Sequence, residues 1–250
     1  MLIKMDVFEC MKSRRSVRKF LEVPVEWDKV GKILDAARFA PSAGNLQTWK
    51  FIIVRDAEKK HKIAEASLQQ WWMEKAPIFI VVCAEMRRIR QFYGVRGERL
   101  YAIQSCAAAV ENILLASHSL GLGACWVSAF DENRISAILS IPEDAEIRPQ
   151  IIVPVGYPDE KPKATPRFSL ENNTYLEIWS KQSLGKTEDI SEVLWDFKIG
   201  ERAIKTGKGA AKKIDKMTEK QRQRMAKSVM AQAKRVKEEI TKRLRKEKRI

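Results

Sequence analysis

Residues 14–18, R-R-S-V-R, place three guanidiniums and a hydroxyl within five positions. Arginine presents a planar fork of donors that matches phosphate and other oxygen-rich anions two bonds at a time, so this cluster suits an anionic ligand. A second segment, residues 41–47, P-S-A-G-N-L-Q, offers Pro41, Ser42, Asn45 and Gln47 around Gly44. Its short polar side chains can read hydrogen-bonding edges while glycine lets the backbone come close. Taken singly, an arginine run is a solvated face and Pro-Ser-Ala-Gly-Asn a helix-ending turn. Their joint occurrence favours the other reading, an anionic or polar ligand.

The elements that must carry these groups can be read from spacing. Apolar residues at helical intervals predict helices over 24–40, 58–73, 99–120 and 131–139. Short β-branched runs predict strands over 51–54, 78–84, 124–129 and 147–155, with 78–84 apolar on both faces as a central strand should be. In the helix over 99–120 the expected core stripe is Leu100, Ile103, Ala107, Val110, Leu114 and Ser117. Helices alternating with apolar strands argue for an α+β or α/β sandwich.

The two polar segments resemble the opening signature of the nitroreductase-like, FMN-dependent oxidoreductases. Residues 101–130 resemble that family's long central helix and following strand, and residues 151–158 its late strand and exit turn. Arg167 falls where the family places a basic residue on the flavin phosphate. The resemblance spans residues 5–180, and four ordered blocks are far more specific than any one of them. It implies an α+β, three-layer sandwich with a central mixed sheet flanked by helices. It also implies FMN as cofactor, NADH or NADPH as transient electron donor, and a homodimer with FMN at the subunit interface.

Carried over residue by residue, the resemblance puts Arg14 and Arg167 on the phosphate. Arg15 and Ser16 fall near the phosphate, ribityl chain or ring edge, and Pro41, Ser42, Asn45 and Gln47 around the ribityl chain and ring. Arg18 stands where the family keeps a cation near flavin N1, and the backbone at Ser128 and Ala129 faces N5 or O4. The family often has glycine at one of those last two positions and proline at Thr48. Ser105 and Cys106 replace an acidic–polar pair, and Thr165 a frequent basic or proline residue. The implied reaction is a ping-pong, two-electron reduction of a small acceptor such as a nitroaromatic or quinone. No G-x-G-x-x-G fingerprint and no nucleophile–base pair stands out, which suits a protein whose cofactor carries the chemistry. Residues 41–47 can serve the site of their own subunit or of the other. Trp71, Trp72, Phe92 and Tyr93, with Arg96 near, either stack on a planar substrate or pack at a surface.

The four cysteines are scattered without C-x-x-C pairs, and His61 and His118 are far apart, so neither disulfides nor a metal site is expected. No apolar run approaches a membrane span and no signal-peptide block opens the chain, which predicts a cytoplasmic protein. Charge is unevenly placed: residues 198–250 hold 20 Lys and Arg against 6 Asp and Glu, and so carry +14 of the chain's +15. The expected organisation is a body over 1–184, a connecting helix over 185–206 and a basic helical tail over 207–250. For the tail, three readings stand: a solvated extension, a non-specific arm for nucleic acid or another polyanion, or a helix packing on a partner subunit or anionic membrane. The alternative function is therefore a nitroreductase-fold protein that works by binding through its tail.

Overall fold

The strand expected at the centre of the sheet is there: β2 (Ile78–Glu85) is flanked on both edges and both faces. The computed structural model describes residues 5–168, 173–175 and 179, and the chain divides into two compact units, Met1–Thr165 and Pro166–Ile250. In the first unit β2 pairs with β1 (Trp49–Val54) on one side and β4 (Ile147–Gly156) on the other, with β3 (Gly123–Ala124) beyond β4. Alternate β2 residues feed two cores. Ile78, Ile80, Val82 and Ala84 join a cluster with α2 (Trp27–Arg38) and α5 (Ala102–Ser119). Phe79, Val81 and Cys83 join another with α3 (Ala57–Ala66) and α6 (Glu132–Ile138). This is a three-layer sandwich, and each fully buried aliphatic side chain in it contributes about 1.5–3 kcal/mol.

The sheet is less mixed than expected. Every pairing between the described strands is antiparallel, and parallel pairing among the described residues reduces to one bridge, Ser16 to Ala124. The strand predicted over 124–129 shrinks to Gly123–Ala124 plus a bridge from Val127 to Ile152. Its partner strand offers Pro154, which has no N–H to extend the ladder there. Gln150 bulges out of β4 where the register shifts between Val82 and Cys83.

Two of the predicted helices differ from the periodicity reading. The helix predicted over 58–73 stops at Ala66, because Leu68 and Gln69 both adopt left-handed backbone (φ 55° each) before a 3-10 turn over Trp71–Lys75. The helix predicted over 99–120 begins as a π turn, Gly97–Tyr101, whose extra residue per turn rotates the rest of the helix. The core face of α5 is therefore Ala102, Cys106, Ala109, Val110, Ile113, Leu114 and Ser117, and the predicted Ile103 is exposed. Two helices lie outside the predicted set: α1 (Val7–Ser13), which buries only Cys10, and α4 (Met86–Arg96), interrupted by Gly94 at φ 56°. Against the expectation that no segment reaches span length, the helical stretch Met86–Ser119 is long and apolar enough by length and composition. Its α5 part is the sandwich's core helix.

The four cysteines are free and buried. In the second unit Arg167 and Phe168 are exposed, and the Tyr175 and Trp179 rings lie 4.2 Å apart. The helix expected over 185–206 and the basic tail over 207–250 lie outside the described residues.

Candidate functional site

The arginine segment is held as an added edge of the sheet. It leaves α1, whose last turn receives the Arg14 N–H at the Cys10 carbonyl (2.9 Å). The Val17 N–H then donates to the Ala124 carbonyl at 3.1 Å, which lays residues 16–17 alongside β3. Gly123 makes this possible: a Cβ there would stand 2.8 Å from Val17 Cβ. Glu160 fixes the other end, one carboxylate oxygen accepting from the N–H groups of Arg18 (2.5 Å) and Lys19 (3.0 Å). The chain is thus pinned on both sides of the cations.

Arg14 is 20% exposed at its side chain, and its Nε is buried without a hydrogen-bond partner. The Glu111 carboxylate stands 3.6 Å from that nitrogen, close enough for attraction and too far for a hydrogen bond. The Arg15 guanidinium donates to the carbonyls of Lys12 (2.7 Å) and Arg14 (2.6 Å), so part of its capacity closes the end of α1. His118 completes the cluster, with Nε2 2.8 Å from Ser13 Oγ. The Ser13 hydroxyl already lies 2.5 Å from the Glu9 carbonyl, its natural acceptor, which leaves His118 Nε2–H as donor to Ser13. Burial, then the charges of Arg14 and Arg15, hold the His118 pKa below its usual value. Positive potential concentrated here is what an anionic group would relieve.

The second predicted segment forms a tight 3-10 turn, Ala43–Asn45, with Gly44, Asn45 and Gln47 all left-handed (φ 55°, 54° and 51°). Ser42 Oγ accepts from the Gln47 N–H at 3.0 Å, and the Gln47 amide donates to Asn45 Oδ1 at 3.2 Å. Pro41, Asn45 and Gln47 are exposed, whereas Ser42 turns inward to brace the loop. The turn sits against Ser105 Oγ, which takes the Ala43 N–H at 3.4 Å, and under Tyr93, whose hydroxyl would lie 2.5 Å from a Cβ on Gly44. Tyr93 in turn meets Tyr101 edge to face. The loop is therefore tied to the first turn of α5 and the arginines to its later turns. At about 1.5 Å rise per residue, Ser105 stands about 9 Å along the helix from Glu111 and about 20 Å from His118. Within one chain the two predicted segments do not converge.

Ser128 and Ala129 are exposed beyond the Val127 bridge, and the Gln70 amide donates to the Ala129 carbonyl at 3.4 Å. Arg18 lies on the same side of the molecule's second core as Trp72, whose ring is 5.9 Å from its guanidinium carbon. Trp71 instead stacks on His61 at 5.3 Å, and Phe92 is exposed. Arg167 belongs to the second unit and is exposed there.

Several residues that matter escaped the sequence reading. Glu111 and His118 are seven apart on a helix with few other polar residues, a spacing that does mark one face. Glu160 sits just past a strand end in a Pro- and Lys-rich loop, and Gln70 in an unremarkable polar turn; neither carries a signal. A cleft of about 560 Å³ elsewhere on the molecule holds none of the expected residues. It is lined by Arg55, Lys60 and Lys75 against Glu22, Asp56 and Glu74, with Lys75 paired to Glu22 and Lys60 bonded to the Glu74 and Ala76 carbonyls. The two lysines are thus engaged within the protein, and the arginine segment is the better candidate.

The donor set of this segment, with Arg14 Nε left unpartnered, fits a phosphate-bearing planar cofactor. Comparison with known proteins agrees in kind. A family model described as the nitroreductase family matches residues 11–157. A protein of Methanothermobacter thermautotrophicus, provisionally named NADH dehydrogenase/NAD(P)H nitroreductase, is 39% identical over 182 residues, 70% of this chain and 89% of its own length. The FMN reductase [NAD(P)H] of Bacillus subtilis is 26% identical over 69% of this chain and 76% of its own. Among solved structures, an FMN-dependent nitroreductase of Clostridium difficile R20291 superposes with a TM-score of 0.59 at 29% identity, covering 68% of this chain and 98% of that one.

Proposed function

This chain is a member of the nitroreductase family, and from that premise we propose that it is an FMN-dependent NAD(P)H oxidoreductase acting on a small acceptor of the nitroaromatic or quinone class. The observation that carries this reading is Arg14, a largely buried guanidinium whose Nε has no hydrogen-bond partner and which Glu111 does not reach within bonding distance. An unmet buried donor is costly unless a ligand completes it. Bound FMN would supply the two-electron chemistry, accepting hydride from NAD(P)H and passing it to the acceptor in a ping-pong cycle.

The protein's share is binding, orientation and electrostatics. Arg14 would hold the phosphate, with Arg15 and Ser16 beside it on the same pinned segment. Arg18, whose backbone N–H is held by Glu160, would supply a cation for the negative charge that reduction places on the ring. The exposed backbone at Ser128 and Ala129 would supply hydrogen-bond donors to the ring of bound FMN.

Residues 41–47 complete the site from a second copy of the chain. What supports this is their exposed left-handed turn, whose contact on α5, Ser105, stands about 9 Å along the helix from Glu111, the partner of Arg14 in the same chain.

The test is the visible spectrum of the purified protein under anaerobic conditions, before and after NADH or NADPH. The expected result is a bound flavin spectrum that bleaches with one or both donors. A protein that is colourless and also fails to retain added FMN overturns the reading.

A further inference from the structure

Two consecutive non-glycine residues in the left-handed region, Leu68 and Gln69, come just after α3. Each costs of order 1 kcal/mol or more, and such strain persists where surrounding structure enforces a geometry. The turn is enforced. The Gln69 N–H returns to the Glu65 carbonyl (3.2 Å) and the Gln70 N–H to the Ala64 carbonyl (3.1 Å). The result is that a short stretch of chain reaches two separate places. The Asp131 N–H donates to the Ala66 carbonyl at 2.9 Å and the Gln70 amide to the Ala129 carbonyl at 3.4 Å, clamping the segment that carries Ser128 and Ala129. Two residues further on, the Trp72 ring lies 5.9 Å from the Arg18 guanidinium carbon, within cation–π range.

We propose that residues 66–72 are a positioning element of the flavin site, in which Gln70 sets the backbone at Ala129 and Trp72 sets the Arg18 guanidinium. This rests on the reading that Arg18 faces the flavin ring. Neither Gln70 nor Trp72 is a catalytic residue; both act through the groups they hold. Arg18 has its backbone fixed by Glu160 but a long side chain with several rotatable bonds. An indole within cation–π range of the guanidinium narrows that freedom.

The test compares Trp72→Leu, Trp72→Phe, Gln70→Ala and Arg18→Leu as FMN-loaded proteins, reading the flavin midpoint potential and FMN affinity. Trp72→Leu should weaken the preference for reduced over oxidised flavin about tenfold, about 30 mV more negative for a two-electron couple. Trp72→Phe, which keeps an aromatic face, should retain most of the native potential. In the Arg18→Leu background, Trp72→Leu should add no further shift. Gln70→Ala should also move the potential; it needs no core repacking and so serves if Trp72→Leu does not fold. In the flavin-free protein, the Arg18 Nε–H resonance should lose its ring-current shift in Trp72→Leu.

If Arg18→Leu shifts the potential while Trp72→Leu and Gln70→Ala leave it native, the positioning proposal is overturned and the functional reading survives. If Arg18→Leu itself leaves the potential native, or the native protein takes up no flavin, both are overturned.

Discussion

Replacing Arg14 by Met keeps the aliphatic stem and removes the guanidinium, and the structure allows the cost to be divided. In the ligand-free protein little is lost. Glu111 stands 3.6 Å away with its own side chain 49% exposed, so water replaces the partner, and the cost should stay within about 1 kcal/mol, as for exposed pairs generally. Binding is another matter. The buried Nε has no hydrogen-bond partner in the free protein, so what it gains on meeting a phosphate appears almost wholly in affinity. A charge-assisted hydrogen bond is worth about 1.5–3 kcal/mol, or about 10- to 150-fold in Kd. Riboflavin has the same ring and ribityl chain without the phosphate, so its affinity should be nearly unchanged. Fluorescence-quenching titrations of both ligands against both proteins give the answer, with a melting curve as the folding control. Equal losses for FMN and riboflavin would refute the assignment of Arg14 to the phosphate, as would a large fall in Tm without ligand.

The same geometry carries other expectations. Gly123→Ala forces a Cβ to within 2.8 Å of Val17 Cβ and should destabilise the fold by about 1–3 kcal/mol; adding Val17→Ala should recover part of this, measured by denaturant unfolding. The His118 pKa, held down first by burial and then by Arg14 and Arg15, should rise in Arg14→Met when tracked by NMR titration. A depressed histidine pKa favours the folded state at higher pH, so this contribution is present above the histidine's unfolded value and lost as pH falls through the lower folded one. Cys83 and Cys106 have thiols pushed up to about 12 by burial, so native protein should resist thiol reagents at pH 8 and react on unfolding. Their raised values also mean stability that is intact below pH 9 and lost between about 9 and 12, and Cys83→Ala should flatten that decline in an alkaline stability series. Gly44→Ala meets both a φ of +55° and the Tyr93 hydroxyl at 2.5 Å; calorimetry should show a loss of stability that Tyr93→Ala partly relieves.

Residue type and periodicity alone were enough for the layers. The doubly apolar run around Ile80 and Val82 could only be a central strand, because each face had to meet a helix layer. Three arginines beside Ser16 could be recognised because guanidinium chemistry depends on residue type and close spacing alone. Local spacing could not show where those arginines would find their neighbours. Glu160, more than 140 positions away, reaches the Arg18 N–H only through the closing of the sheet. The π turn that rotates α5, the left-handed pair that ends α3 early and the loss of strand beyond Ala124 each arise where packing overrides local preference. Packing likewise placed the Asn45 loop and the Arg14 cluster at different points along α5. Their distance depends on which turn of the helix each one meets, and that is decided by the fold as a whole.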